Sequence, residues 1–131
     1  PNDVLVIASM IEEEAAPPED RPLIARVIYN RLEVGEPLGI DATVIYATGD
    51  NEITASDLEV ESPYNTRRFP GIPPTPIASP GAASIEAALN PAEGDWFFYV
   101  RTEEDGGHTF AVTLEEHNAN VEICRERGYC G

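Results

Sequence analysis

The sequence predicts an α+β fold, a helix-rich single domain with a small antiparallel hairpin. Three observations predict it. Apolar residues recur at helical spacing through the N-terminal third. One pair of short aromatic and β-branched segments flanks the turn Asp105-Gly106-Gly107, as a hairpin requires. The length of 131 residues suits one domain, 1–131, large enough to bury a core.

The elements follow in order. A first helix starts near Asn2 or Asp3, both good caps, and runs through Ala16 to stop before Pro17–Pro18. A second runs from Asp20 to Val34, with Pro22 in its first turn and Gly35 at its end. Leu23, Ile24, Val27, Ile28 and Leu32 form its apolar face. A short helix or strand covers Thr43–Ala47. Residues 48–82 read as irregular, punctuated by Pro63, Pro70, Pro73, Pro74, Pro76 and Pro80. Such a stretch in a compact domain is usually functional. Ser79 then caps a helix with Pro80 at its first position and Pro91 beyond its end. Trp96–Arg101 and His108–Val112 are the hairpin strands. Thr113 and Glu116 have capping-box spacing and open a last helix reaching about Arg127.

Charge excludes several classes of function. Eight basic residues, all Arg, stand against 24 acidic ones, a net charge of −16. Nucleic-acid binding needs a basic footprint, and the only adjacent basic pair is Arg67–Arg68. Anionic membrane surfaces are disfavoured for the same reason, and no run of 18 apolar residues is present. Cys124 and Cys130 are spaced to close a small loop in an oxidising compartment; the spacing alone leaves the free-thiol state equally open.

The first helix carries Glu12, Glu13 and Glu14. With Val4 at 0°, Ile7, Ala8, Ile11 and Ala15 share one face, and the three acids fall at about 80°, 180° and 280°. Glu13 is therefore the solvent carboxylate, and Glu12 and Glu14 flank the apolar stripe. Partial desolvation at such an edge raises a carboxyl pKa toward the range a general acid needs. Acids at a helix C-terminus also oppose the helix dipole, and a solvated face is the plainer reading of most Glu runs.

Several segments, IASMIEEEAA, ARVIYNRLEVGEPL, DATVIYATG, SPYNTRRFPGIPPTPIASPGAASIEAALNP, and FFYV followed by DGGHTFAVTLEEHNANV, resemble the lytic transglycosylases of the MltG/YceG family, in order over nearly the whole chain. The resemblance implies the lysozyme-like catalytic core of that family, excised from a longer, membrane-anchored, extracytoplasmic protein whose anchor lies upstream of Pro1. It implies cleavage of the β-1,4 bond between N-acetylmuramic acid and N-acetylglucosamine in nascent peptidoglycan, forming a 1,6-anhydro end. It also implies glycan strands and peptidoglycan synthases (penicillin-binding proteins) as partners, and no cofactor.

By the resemblance, the catalytic glutamate falls on Glu12, the first Glu after Ser9-Met10-Ile11, with Glu14 the second choice. Asn30, Asp41, Thr43, Tyr64, Asn65, Thr66 and His108 are implied sugar-binding residues. Arg31, Arg67 and Arg68 are exceptions to the overall sign that could meet an anionic group. The chain departs from the family pattern at Gly39-Ile40, where Gln-Ser is usual, at Ala42, where Pro is usual, and at Ser79, where Asn is usual. The first departure removes an amide that could touch sugar.

Other functions were weighed. A metal site would need His108, Glu116 and His117 to converge, but no short metal-ligand spacing is present. A lysozyme-type hydrolase would need a second carboxylate beside Glu12, from Asp41 or Glu14. A non-catalytic peptidoglycan-binding module would bind glycan without turnover. Structural readings also stand beside the site residues: Asn30 as a turn cap, Asp41 as a helix cap, Tyr64 and His108 as packing residues, His117 on a helix face, and Trp96, Phe97 and Phe98 as core.

Overall fold

The computed structural model describes residues 2–14, 17–50 and 53–130. Ala15 and Ala16, expected in the last turn of the first helix, lie outside the described residues. The elements run α1 (Asn2–Glu14), α2 (Arg21–Val34), α3 (Asp41–Thr48), α4 (Ala82–Leu89), β1 (Phe98–Arg101), β2 (His108–Ala111) and α5 (Leu114–Arg127). Two 3-10 turns, Pro18–Asp20 and Asp57–Glu59, lie between them. The α+β reading therefore holds.

Helix α1 is central. It packs against α2, α3 and α4, so burial spreads beyond its apolar stripe to Val6, Ser9 and Met10. The small residues Ala8, Ala25, Ala87 and Ala88 are almost inaccessible and let the helices approach closely. Met10, Ile11, Ile24 and Ile28 fill the space between them, each contributing about 1.5–3 kcal/mol by burial. The buried Ser9 hydroxyl donates to the Val6 carbonyl at 2.6 Å and accepts the Ile77 N–H at 3.0 Å. One side chain of α1 thus anchors the Pro-rich segment.

Helix α2 secures the chain between α4 and the hairpin with polar side chains. Arg26 bonds the Ala92 carbonyl, Tyr29 the Ala88 carbonyl, and Asn30 the Gly94 and Trp96 carbonyls. Arg31 Nε donates to the Phe97 carbonyl at 2.6 Å. That contact explains why β1 starts at Phe98 rather than at Trp96: the carbonyls before it belong to α2. The strands pair antiparallel, with Tyr99 opposite Phe110 and Arg101 opposite His108. Helix α5 packs on both and begins with the full capping box of Thr113 and Glu116.

Two boundaries differ from expectation. The short segment after Gly39-Ile40 is a helix, Asp41–Thr48, closed by Gly49 at φ 78°, a conformation that favours glycine. Helix α4 starts at Ala82 with Gly81 as its N-cap, so Ser79 and Pro80 precede it. Its first turn has no side-chain cap of its own; the Glu12 carboxylate, from another helix, accepts the Gly81 N–H at 2.8 Å instead. Cys124 and Cys130 form a disulfide with Cα atoms 5.5 Å apart.

Candidate active site

A cavity of about 380 Å³ opens where the C-terminus of α1, the last turns of α2, the first turn of α3, the hairpin and the C-terminal turn meet. Glu14, Arg31, Asp41, Arg67, Tyr99, His108 and His117 are among its lining residues. They come from seven separate elements of the chain, so only folding brings them together.

Glu14 is half-buried, and its carboxyl sits at the inner end of α1. Burial pushes its pKa up to about 7, and the neighbouring charges of Asp41 and Glu13 push the same way. Arg67 and a hydrogen bond from the Tyr99 hydroxyl oppose the rise without cancelling it. The Tyr99 phenol is raised well above its ordinary range by burial, then by the Glu14 charge, so it remains a proton donor. Near neutral pH Glu14 is poised between acid and carboxylate, as a group that must give and then take a proton requires.

Glu12 is in a different place. It does not line this cavity. Its Oε1 accepts from the Gly81 N–H at 2.8 Å, from the Ser84 hydroxyl at 3.0 Å and from Arg21 Nη1 at 3.3 Å. The Gly81 and Ser84 hydrogen bonds, with the Arg21 charge, hold its pKa below the ordinary carboxylate value. The two edges of the α1 stripe are real, but one faces α4 and the other faces the cavity. Glu13 is exposed, as the helical geometry requires.

Around Glu14, Arg67 grips Asp41 Oδ1 with Nη2 at 2.6 Å and Nε at 2.8 Å. Arg31 lies over the Phe98 ring, 4.9 Å from its centroid, and bonds the Pro37 carbonyl at 2.9 Å. His108 is fixed by Asp20, whose Oδ2 takes its backbone N–H at 2.8 Å and its Nδ1 at 3.1 Å. A carboxylate only accepts, so Nδ1 carries a proton toward Asp20, and Nε2 is the ring nitrogen left for another partner. His117 stacks on Phe98 at 5.0 Å. Burial, with Arg31 and Arg67, lowers its pKa, which disfavours the charged ring.

Of the sequence-predicted binding residues, Asp41 and His108 line the cavity; Asn30, Thr43, Tyr64, Asn65 and Thr66 do not. Asn30 spends its amide on the Gly94 and Trp96 carbonyls. Asn65 is fully buried and bonds the Leu58 and Val60 carbonyls. Thr43 and Thr66 share a buried hydroxyl pair at 2.8 Å, and Thr66 also holds the Ile40 N–H. These three residues set the position of α3 and the loop that carries Arg67. Tyr64 packs tilted against Tyr46, ring centroids 5.0 Å apart, and its hydroxyl pairs with that of Thr75 at 2.8 Å.

At the departure from the family pattern, Gly39 has φ 67° and lies between the Arg31 and Arg67 guanidiniums, while Ile40 is core. Glu116 is committed to its own helix cap, so it does not join the histidines. Among the described residues, no group of His, Cys, Asp and Glu is placed to hold a metal ion, and no helix is long and apolar enough to cross a membrane. The residue that sequence reasoning missed is Tyr99. The strand period does not single it out, because its neighbour Phe98 lines the same cavity.

Known proteins match this architecture. The model of the YceG-like family matches residues 1–123. An endolytic murein transglycosylase of Bacillus subtilis (strain 168) is 45% identical over 117 residues, 88% of this chain and 32% of that protein. One of Streptococcus pneumoniae (serotype 2, strain D39) is 37% identical over 127 residues, 92% of this chain and 23% of that protein. The crystal structure of a YceG-like protein from Listeria monocytogenes superposes with a TM-score of 0.81 at 45% identity, covering 86% of this chain and 38% of that one. The chain thus spans well under half the length of these relatives, and by sequence and fold alike it belongs to the YceG-like family.

Proposed function

We propose that this chain is the catalytic domain of an endolytic peptidoglycan lytic transglycosylase, with Glu14 as its acid and base. One observation carries the assignment: a carboxyl with a pKa of about 7, beside a phenol donor, inside the cavity. The names of the Bacillus and Streptococcus relatives support the reaction class.

Protonated Glu14 gives its proton to the glycosidic oxygen as the bond from that oxygen to C1 of N-acetylmuramic acid breaks. The muramoyl 6-hydroxyl attacks C1, and its proton passes to the Glu14 carboxylate. The product carries a 1,6-anhydro ring, no water is consumed, and Glu14 ends protonated again. One carboxyl suffices because the nucleophile is held within the substrate. Tyr99 and the Asp41–Arg67 pair hold the Glu14 carboxyl and tune it. His108 Nε2, Arg31 and Asp41 are the groups that meet sugar hydroxyls, N-acetyl groups or the carboxylates of the substrate.

The longer protein that contains this domain is expected to be membrane-anchored and extracytoplasmic, acting on nascent glycan strands beside the peptidoglycan synthases. A second reading, muramidase hydrolysis, has one observation in its favour: Asp41 lies close enough to Glu14 to raise its pKa, and a hydrolase uses two carboxylates. Its tight pairing with Arg67 argues for tuning instead. Mass analysis of digested peptidoglycan decides between them, because an anhydro end lacks one water relative to a reducing end. Anhydro ends are expected; reducing ends from the unmodified chain would overturn the transglycosylase reading.

A further inference from the structure

The last residues form a part of the cavity wall that lies beyond the family match, which ends at residue 123. Helix α5 ends at Arg127, and Gly128 at φ 81° turns the chain back. The Tyr129 N–H bonds the Cys124 carbonyl at 2.9 Å, and the disulfide from Cys130 to the buried Cys124 closes the turn. Cys124, Tyr129 and Cys130 all line the cavity.

Tyr129 is held from the other side as well. The Arg101 guanidinium lies over its ring, 4.4 Å from the centroid. Arg101 is itself fixed by the carbonyls of Glu103 and Glu104, at 3.1 and 2.8 Å. The phenol is half-buried, with a cation over its ring, and the residue lines the cavity. A rigid aromatic ring at the edge of a polar cleft suits a ligand with both an apolar face and hydroxyls.

We propose that the disulfide-closed turn is a specificity wall that presents Tyr129 as a stacking surface for a pyranose ring of the glycan at one end of the cleft. The inference rests on the glycan-cleaving reading above. The disulfide contributes by pre-organisation: with the turn already closed, less freedom is lost when sugar binds.

The test measures kcat and KM on glycan strands for the oxidised chain and for Tyr129→Ala, Tyr129→Phe and Cys130→Ser. Tyr129→Ala is expected to raise KM about three- to tenfold with kcat within about twofold. Tyr129→Phe, which keeps the ring, should match the unmodified chain. Cys130→Ser should raise KM less, and add nothing to Tyr129→Ala. An unchanged KM in Tyr129→Ala, an equal loss in Tyr129→Phe, or a loss confined to kcat overturns the proposal. Should the unmodified chain turn over no glycan, the catalytic reading fails while the wall is still tested. Titration with an N-acetylglucosamine oligomer, followed by NMR, would then shift the Tyr129 and Arg101 signals if the wall binds sugar; signals that stay fixed would refute it.

Discussion

Glu14→Gln separates the two edge glutamates of α1 by activity and stability at once. Folding raises the Glu14 pKa from 4.5 to about 7. Between those values the folded chain holds the proton more tightly than the unfolded one, so this group's contribution to stability falls as pH rises through the window. Above pH 7 the penalty is complete, about 3–4 kcal/mol at most, from about 1.4 kcal/mol per pH unit, less whatever the open cavity screens. Glutamine carries no charge and escapes it. Glu14→Gln is therefore expected to be more stable than the unmodified chain by up to about 3–4 kcal/mol near pH 8, with the gain gone near pH 4. The same variant should lose about 10²- to 10⁴-fold in glycan cleavage, as expected when a sole acid–base group is removed. Glu12→Gln should do the opposite. It weakens the charged acceptor that caps α4 and pairs with Arg21, so stability should fall by about 2–3 kcal/mol at neutral pH. Because its folded pKa is lowered, that loss should shrink as pH falls through the carboxylate range. Urea unfolding across pH, beside mass-resolved digestion, reads both. An active Glu14→Gln, or a Glu12→Gln that is inactive yet fully stable, would refute the assignment.

Three further outcomes follow from the same geometry. The rate should fall above about pH 7 as Glu14 loses its proton. Asp41→Asn should move that limb to lower pH and Arg67→Ala to higher pH, since Asp41 raises the Glu14 pKa and Arg67 lowers it; a pH profile of kcat/KM checks both. Thr66→Val keeps the volume but strands the Ile40 N–H and removes one partner of the Thr43 hydroxyl, so it should destabilise by about 1–3 kcal/mol in denaturant melts. Met10→Ala empties the centre of the core and should cost about 2–5 kcal/mol by the same measure.

Much of the fold was legible because it is local. The start of α1, the Gly35 end of α2, the capping box of α5 and the hairpin turn each follow from residues within a few positions of one another. The misplaced start of α4 shows the limit. Ser79 has the chemistry of a cap, but a carboxylate from α1, 69 residues away in sequence, takes the Gly81 N–H. The YNRL and SPYNT segments show another limit. Their polar side chains suit sugar contacts, but in the fold Asn30, Asn65 and Thr66 bond backbone groups of neighbouring segments.

By itself the sequence determined the helix-rich α+β class, the family, and the short list of acids from which the catalytic one is drawn. Periodicity and capping act over one or two turns, so they survive without tertiary context. Only the folded chain separates the surroundings of Glu12 from those of Glu14. Both sit at equal angles from the apolar stripe, and helical geometry treats them alike. What differs is the partner each edge meets: the Gly81 N–H, Ser84 and Arg21 on one side, the cavity with Tyr99 on the other. A pKa is set by that surrounding dielectric and charge, which no spacing along the chain encodes.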